Sequence, residues 1–62
     1  MYEKYEALKK KKGLSDADVS RGTEIPASTL SDWKAGRYTP KADKLMKLAK
    51  FFDVPLEYFL EE

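Results

Sequence analysis

The 62-residue chain contains no cysteine and no histidine. The first absence removes disulfides and thiolate metal ligands, and the second removes the commonest metal ligand and the side chain that most often acts as a general base near neutral pH. Catalysis thus lacks its usual parts, and the composition points away from an enzyme and from any metal or cofactor. Asp16 and Asp18 are spaced like part of a calcium loop, but nothing nearby supplies the remaining oxygen ligands, and helix capping explains both. Long apolar runs are missing too. No stretch approaches the roughly 18 consecutive apolar residues of a membrane span, and the start MYEKYEALKKKK has no apolar core of the signal-peptide kind. A soluble cytoplasmic protein with no membrane partner is the expectation. A chain this short makes one small domain that buries only about 60% of its unfolded surface, so a modest stability margin follows.

Charge of one sign is missing only locally. The formal net charge is +1, but between Lys34 and Lys50 six cations (Lys34, Arg37, Lys41, Lys44, Lys47, Lys50) face Asp43 alone, a net +5. From Asp53 onward Asp53, Glu57, Glu61 and Glu62 have no cation among them, a net −4. A basic middle and an acidic end suit a molecule that turns one face to phosphates and keeps the other end off them; solvated helix faces are the plainer alternative.

With only three glycines and three prolines, each one is punctuation. They divide the chain into five short helical segments without strand-like alternation, so the class is all-α. Tyr2 to Lys12 forms the first, with Tyr5 and Leu8 inward and Gly13 as its cap, after which Leu14 tucks in. Ser15 caps a second helix over about 16–22, with Asp16 and Asp18 in its first turn. Thr23, Glu24 and Ile25 make a turn, Pro26 opens a third helix over about 27–35, and Gly36 caps it. Pro40 opens the longest helix, with Leu45, Leu48, Ala49 and Phe52 as its apolar stripe. Asp53 and Val54 break it before Pro55 starts a last helix whose Leu56, Phe59 and Leu60 close the core.

Within this pattern, Ser15 to Pro40 carries apolar residues at Val19, Ile25, Leu30 and Trp33, the spacing of a helix-turn-helix. The run Ile25-Pro26-Ala27-Ser28-Thr29-Leu30-Ser31-Asp32-Trp33, the Gly36…Pro40 spacing, and Leu45-Met46-Lys47-Leu48-Ala49-Lys50 followed by Val54 resemble the lambda-repressor-like helix-turn-helix family of Cro proteins, phage repressors and XRE-type regulators. The resemblance runs from about Lys4 to Leu60. It implies a compact five-helix bundle, residues 1–62 forming a single DNA-binding domain, and a phage or prophage repressor-type regulator that binds double-stranded DNA with its third helix in the major groove. Two positions depart from the family's pattern. Glu24 stands where a glycine is usual, predicting a rearranged turn, and Asp16 stands where a glutamine often bonds a phosphate, predicting repulsion there.

Carried over position by position, the resemblance assigns base reading to Ala27, Ser28, Thr29 and Asp32. Phosphate binding falls to Lys34, Arg37, Tyr38, Thr39, Lys41 and Lys44, and about four neutralised phosphates imply a log–log salt slope of about −3.6. Direct readout is thin, because the reading face has no Arg, Gln or Asn to make a bidentate base contact. Trp33 reads as a core anchor, and Lys9 to Lys12 as a solvated helix end that complements its dipole. Phe51, Val54, Leu56 and Tyr58 are candidates for a weak or DNA-induced homodimer. The length fits either a whole Cro-like regulator or the N-terminal piece of a repressor with a further C-terminal domain. The rival reading keeps the fold but uses it as a protein-interaction module, antitoxin-like or regulator-binding, and Asp16, Glu24 and Asp32 favour it.

Overall fold

The computed structural model describes residues 1–60. Five helices occur among them: α1 (Tyr2–Lys12), α2 (Asp16–Thr23), α3 (Ala27–Lys34), α4 (Ala42–Phe52) and α5 (Glu57–Leu60), with no strand. The fold is the all-α, five-helix arrangement expected from the punctuation.

Three of the helices stop by one device. Gly13, Gly36 and Asp53 follow α1, α3 and α4 in the left-handed conformation, with φ of 66°, 81° and 58°. That geometry turns the chain back over the helix end. The next N–H in each case, of Leu14, Arg37 or Val54, then donates 2.9 Å to the carbonyl of Lys9, Asp32 or Ala49. The N–H groups of Gly13, Gly36 and Asp53 reach Lys10, Trp33 and Lys50 at 3.3, 3.1 and 3.2 Å. At the start of α2, Ser15 Oγ accepts the Asp18 N–H at 3.2 Å, while the Ser15 N–H donates to Asp18 Oδ2 at 3.0 Å. This reciprocal cap pulls the Asp18 carboxyl below its ordinary value, chiefly through the bond from the Ser15 N–H.

The core draws on every helix. Tyr5 and Leu8, Val19, Ile25, Leu30 and Trp33, Leu45, Leu48, Ala49 and Phe52, and Phe59 are all buried. Tyr5 stacks on Trp33 at 5.1 Å between ring centroids, and Tyr2 meets Trp33 edge-on at 5.3 Å. Trp33 is therefore the core anchor its spacing from Leu30 predicts, and it ties α1 to the back of α3. Lys41 is the N-cap of α4, directly after buried Pro40.

Several boundaries differ from the sequence reading. Thr23 is the last residue of α2 and not part of the turn. Pro26 sits one place earlier than expected, as the N-cap of α3, its carbonyl accepting the N–H groups of Thr29 and Leu30. α3 stops at Lys34. Leu60, expected in the core, is 59% exposed, because a four-residue helix can bury only one side and Phe59 takes it. Glu61 and Glu62, part of the acidic end, lie outside the described residues.

Candidate nucleic-acid interface

The motif is assembled around the α2–α3 turn, and the side chain of Thr23 and the backbone of Glu24 make that turn possible. Thr23 is buried, and its hydroxyl donates to the Val19 carbonyl at 2.7 Å while accepting the Ile25 N–H at 3.3 Å. Glu24 adopts φ 64° and ψ 15°, with its N–H on the Ser20 carbonyl at 2.8 Å. The rearrangement predicted from the missing glycine does not occur. The chain accepts the left-handed strain at Glu24, a cost of about 1–2 kcal/mol, because Ile25 beyond it is fixed in the core. The glycine two places earlier has a different task. Gly22 lies on α2 against the Phe51 ring of α4, where a Cβ would overlap the ring edge.

With Leu30 and Trp33 buried, α3 turns a short-chained surface outward. Ala27, Ser28 and Ser31 are exposed, and Thr29 and Asp32 are half-buried. Beyond its C-terminus, Lys34, Arg37, Thr39 and Lys41 are exposed, and Lys44 is half-buried on α4. Tyr38 packs partly against the core. The N-termini of α3 and α4 have no side-chain cap, so their first N–H groups are free for an anion.

The three suspect carboxylates have different surroundings. Asp16 does not present a bare charge to a phosphate. Its Oδ1 accepts from the Tyr5 hydroxyl and from the Lys9 ammonium, each at 2.6 Å. Partial burial raises the Asp16 carboxyl, but the bonds from Lys9 and Tyr5 outweigh it and leave the group below its ordinary value. Burial first, then the bond to Asp16, pushes the Tyr5 hydroxyl upward. Lys9, read as part of a solvated run, leaves that run: its side chain is 14% exposed and its ammonium lies 4.9 Å from the Tyr5 ring centroid. Asp32 is paired as well, with Arg37 Nη2 at 3.0 Å and Nε at 3.2 Å. Glu24 is the third, and it lines an open groove of about 350 Å³ with Gly22, Thr23, Lys47, Lys50 and Phe51.

Of the residues read as a dimer surface, Phe51, Val54, Leu56 and Tyr58 are half-buried and pack on the core, with the Lys4 ammonium 5.4 Å from the Tyr58 ring. Phe51 faces Gly22 of its own chain. Among the described residues no group of three or more acidic, His or Cys side chains could hold a metal ion, and no helix is long and apolar enough to cross a membrane.

Sequence reasoning missed three arrangements: the Tyr5–Asp16–Lys9 cluster, the Gly22–Phe51 contact and the Asp32–Arg37 pair. The last had a signal. A glycine four residues after an outward-facing acid, followed by arginine, is the spacing that folds the arginine back over that acid.

Helix order, turn geometry and the outward face of α3 together define a helix-turn-helix domain. A family model described as Helix-turn-helix matches residues 5–59, nearly the whole chain. The chain belongs to this family, the Cro/C1-type helix-turn-helix proteins, which are DNA-binding transcription regulators and not typically enzymes. No curated protein and no solved structure matches the chain.

Proposed function

We propose that this protein is a cytoplasmic, sequence-specific regulator of repressor type that docks α3 in the major groove of double-stranded DNA. The observation that carries the reading is the outer face of α3: exposed Ala27, Ser28 and Ser31 allow close approach to base edges, and exposed cations follow directly at Lys34 and Lys41. Ala27 offers a methyl contact to thymine, and Ser28 and Thr29 donate or accept at the groove. Lys34, Lys41 and Lys44 supply phosphate contacts, with the hydroxyls of Tyr38 and Thr39 beside them and the open N-terminus of α4 adding its dipole. Three to four neutralised phosphates give a log–log salt slope between about −2.7 and −3.6. With so few base contacts per domain, a homodimer reading two half-sites through the end that contains Val54, Leu56 and Tyr58 supplies the rest of the specificity.

Selection from a random duplex library, followed by a salt titration on the enriched site, tests this. Enrichment with a slope of that size supports it, and no binding even at low salt sinks it. The second reading, a protein-interaction module, draws on the groove at Gly22, Glu24 and Phe51. Its other supports weaken, because Asp16 and Asp32 are each engaged by a cation.

A further inference from the structure

The cap of α3 does more than stop a helix. Gly36, at φ 81°, turns the chain so that the Arg37 N–H lands 2.9 Å from the Asp32 carbonyl. Backbone geometry thus brings the two side chains together, and both Nε and Nη2 of Arg37 then donate to Asp32 Oδ1. The backbone places the two residues side by side, and the side chains pair while both stay partly exposed. Asp32 itself lies on the outward face of α3, one turn beyond exposed Ser28, so the guanidinium is tethered at the edge of the reading surface.

A guanidinium has five N–H donors in a rigid fork. Asp32 takes the side that contains Nε–H and one N–H of Nη2, which leaves Nη1 and the remaining N–H of Nη2 as a free, parallel pair. Two parallel donors match two neighbouring acceptors, either O6 and N7 of guanine or two oxygens of a phosphate. Charge decides between them. Arg37 and Asp32 together are neutral, so a phosphate gains nothing from the pair as a whole and its oxygens are repelled by the Asp32 carboxylate. A guanine edge is uncharged and needs only the directed donors.

We propose that Arg37 reads guanine in the major groove and that Asp32 is a positioning residue that holds its fork, in place of the separate roles of phosphate contact and cytosine reader. The inference rests on the DNA-binding reading and deepens it. It supplies the bidentate base contact that α3 lacks among its own residues.

The test uses the full chain and its Arg37→Lys, Arg37→Ala and Asp32→Asn variants, each with a thermal melt to show the fold intact. Each variant is carried through duplex selection and a salt titration. The parent enriches a guanine at one fixed position per half-site. Arg37→Lys keeps the charge and loses the fork, so the guanine preference falls about tenfold or more while the rest of the site persists. Arg37→Ala loses the same preference with little change in salt slope. Asp32→Asn frees the Arg37 charge, steepens the slope by about one unit and blurs the guanine position. If Arg37→Ala instead flattens the slope by about one unit and leaves the selected sequence unchanged, Arg37 is a phosphate contact and the proposal is overturned. A parent that enriches no duplex at all overturns the DNA-binding reading and this inference with it, so the two failures differ at the first step.

Discussion

At the scale of single residues, positions that break a local rule mark where the fold has a demand to meet. Glu24 at φ 64° is one. A left-handed residue with a side chain costs about 1–2 kcal/mol, and glycine removes that cost while giving back about 0.5–1 kcal/mol in unfolded-state freedom. Glu24→Gly is therefore expected to stabilise the protein by about 0.5–1 kcal/mol, a rise of a few degrees in melting temperature; a lower melting temperature contradicts the account. Asp16 is another. Its carboxyl lies below its ordinary value of 3.8 in the folded state, so it contributes stability that is present above that pH and lost as pH falls through the folded value. Urea unfolding of the parent against Asp16→Asn then shows a gap that is full near neutral pH and closes in acid. A gap independent of pH would mean that the contacts from Tyr5 and Lys9 act through shape alone. The left-handed position of Glu24 is legible from the glycine usual there in the family, whereas the surroundings of Asp16 are not. Composition shows an acid at a helix start, but not that a tyrosine hydroxyl and a lysine from the preceding helix converge on it.

At the scale of elements, helix identity was readable because local signals agree with one another. Ser15, Gly13, Gly36 and the prolines sit where caps and first turns need them, and the stripe of Leu45, Leu48, Ala49 and Phe52 has helical spacing. Ends were less readable where tertiary contacts decide them. Thr23 joins α2 because its hydroxyl has two backbone partners in the buried turn, and Leu60 stays exposed because α5 has only one turn. The α2–α4 contact belongs to the same class. Gly22 reads as a weak helix residue, yet its missing side chain is what admits the Phe51 ring. Gly22→Ala gains about 1 kcal/mol of helix propensity but overpacks this contact, so a net loss of about 1–2 kcal/mol is expected from chemical denaturation. Adding Phe51→Leu is expected to recover part of that loss. Were Gly22→Ala stabilising by itself, close packing would not be the reason for the glycine. The exposed Asp32–Arg37 pair is worth only about 0.2–1 kcal/mol to the fold, so its importance lies in orientation.

At the scale of the whole molecule, a short-chained, cation-flanked surface lies at α3 and the start of α4, and the exposed acidic residues Asp53 and Glu57 follow α4 along the chain. The candidate reading residues were legible because alternation of buried and outward positions along a helix follows from its period. The Asp32–Arg37 pairing is carried only by the spacing of Asp32, Gly36 and Arg37, and the two side chains look like separate contacts until the Gly36 cap is read together with that acid. Assembly is tested through Tyr58, half-buried beside Lys4. Tyr58→Ala is expected to lower the mass measured by light scattering on a two-half-site duplex and to weaken binding to it; unchanged mass and affinity exclude this face as the dimer contact. The central claim, that α3 and its flanking cations bind DNA, is most directly tested by a salt titration of the protein on a duplex enriched from a random library. The expected result is an enriched sequence bound with a log–log slope between about −2.7 and −3.6. Absence of enrichment, or binding that does not change with salt, contradicts it.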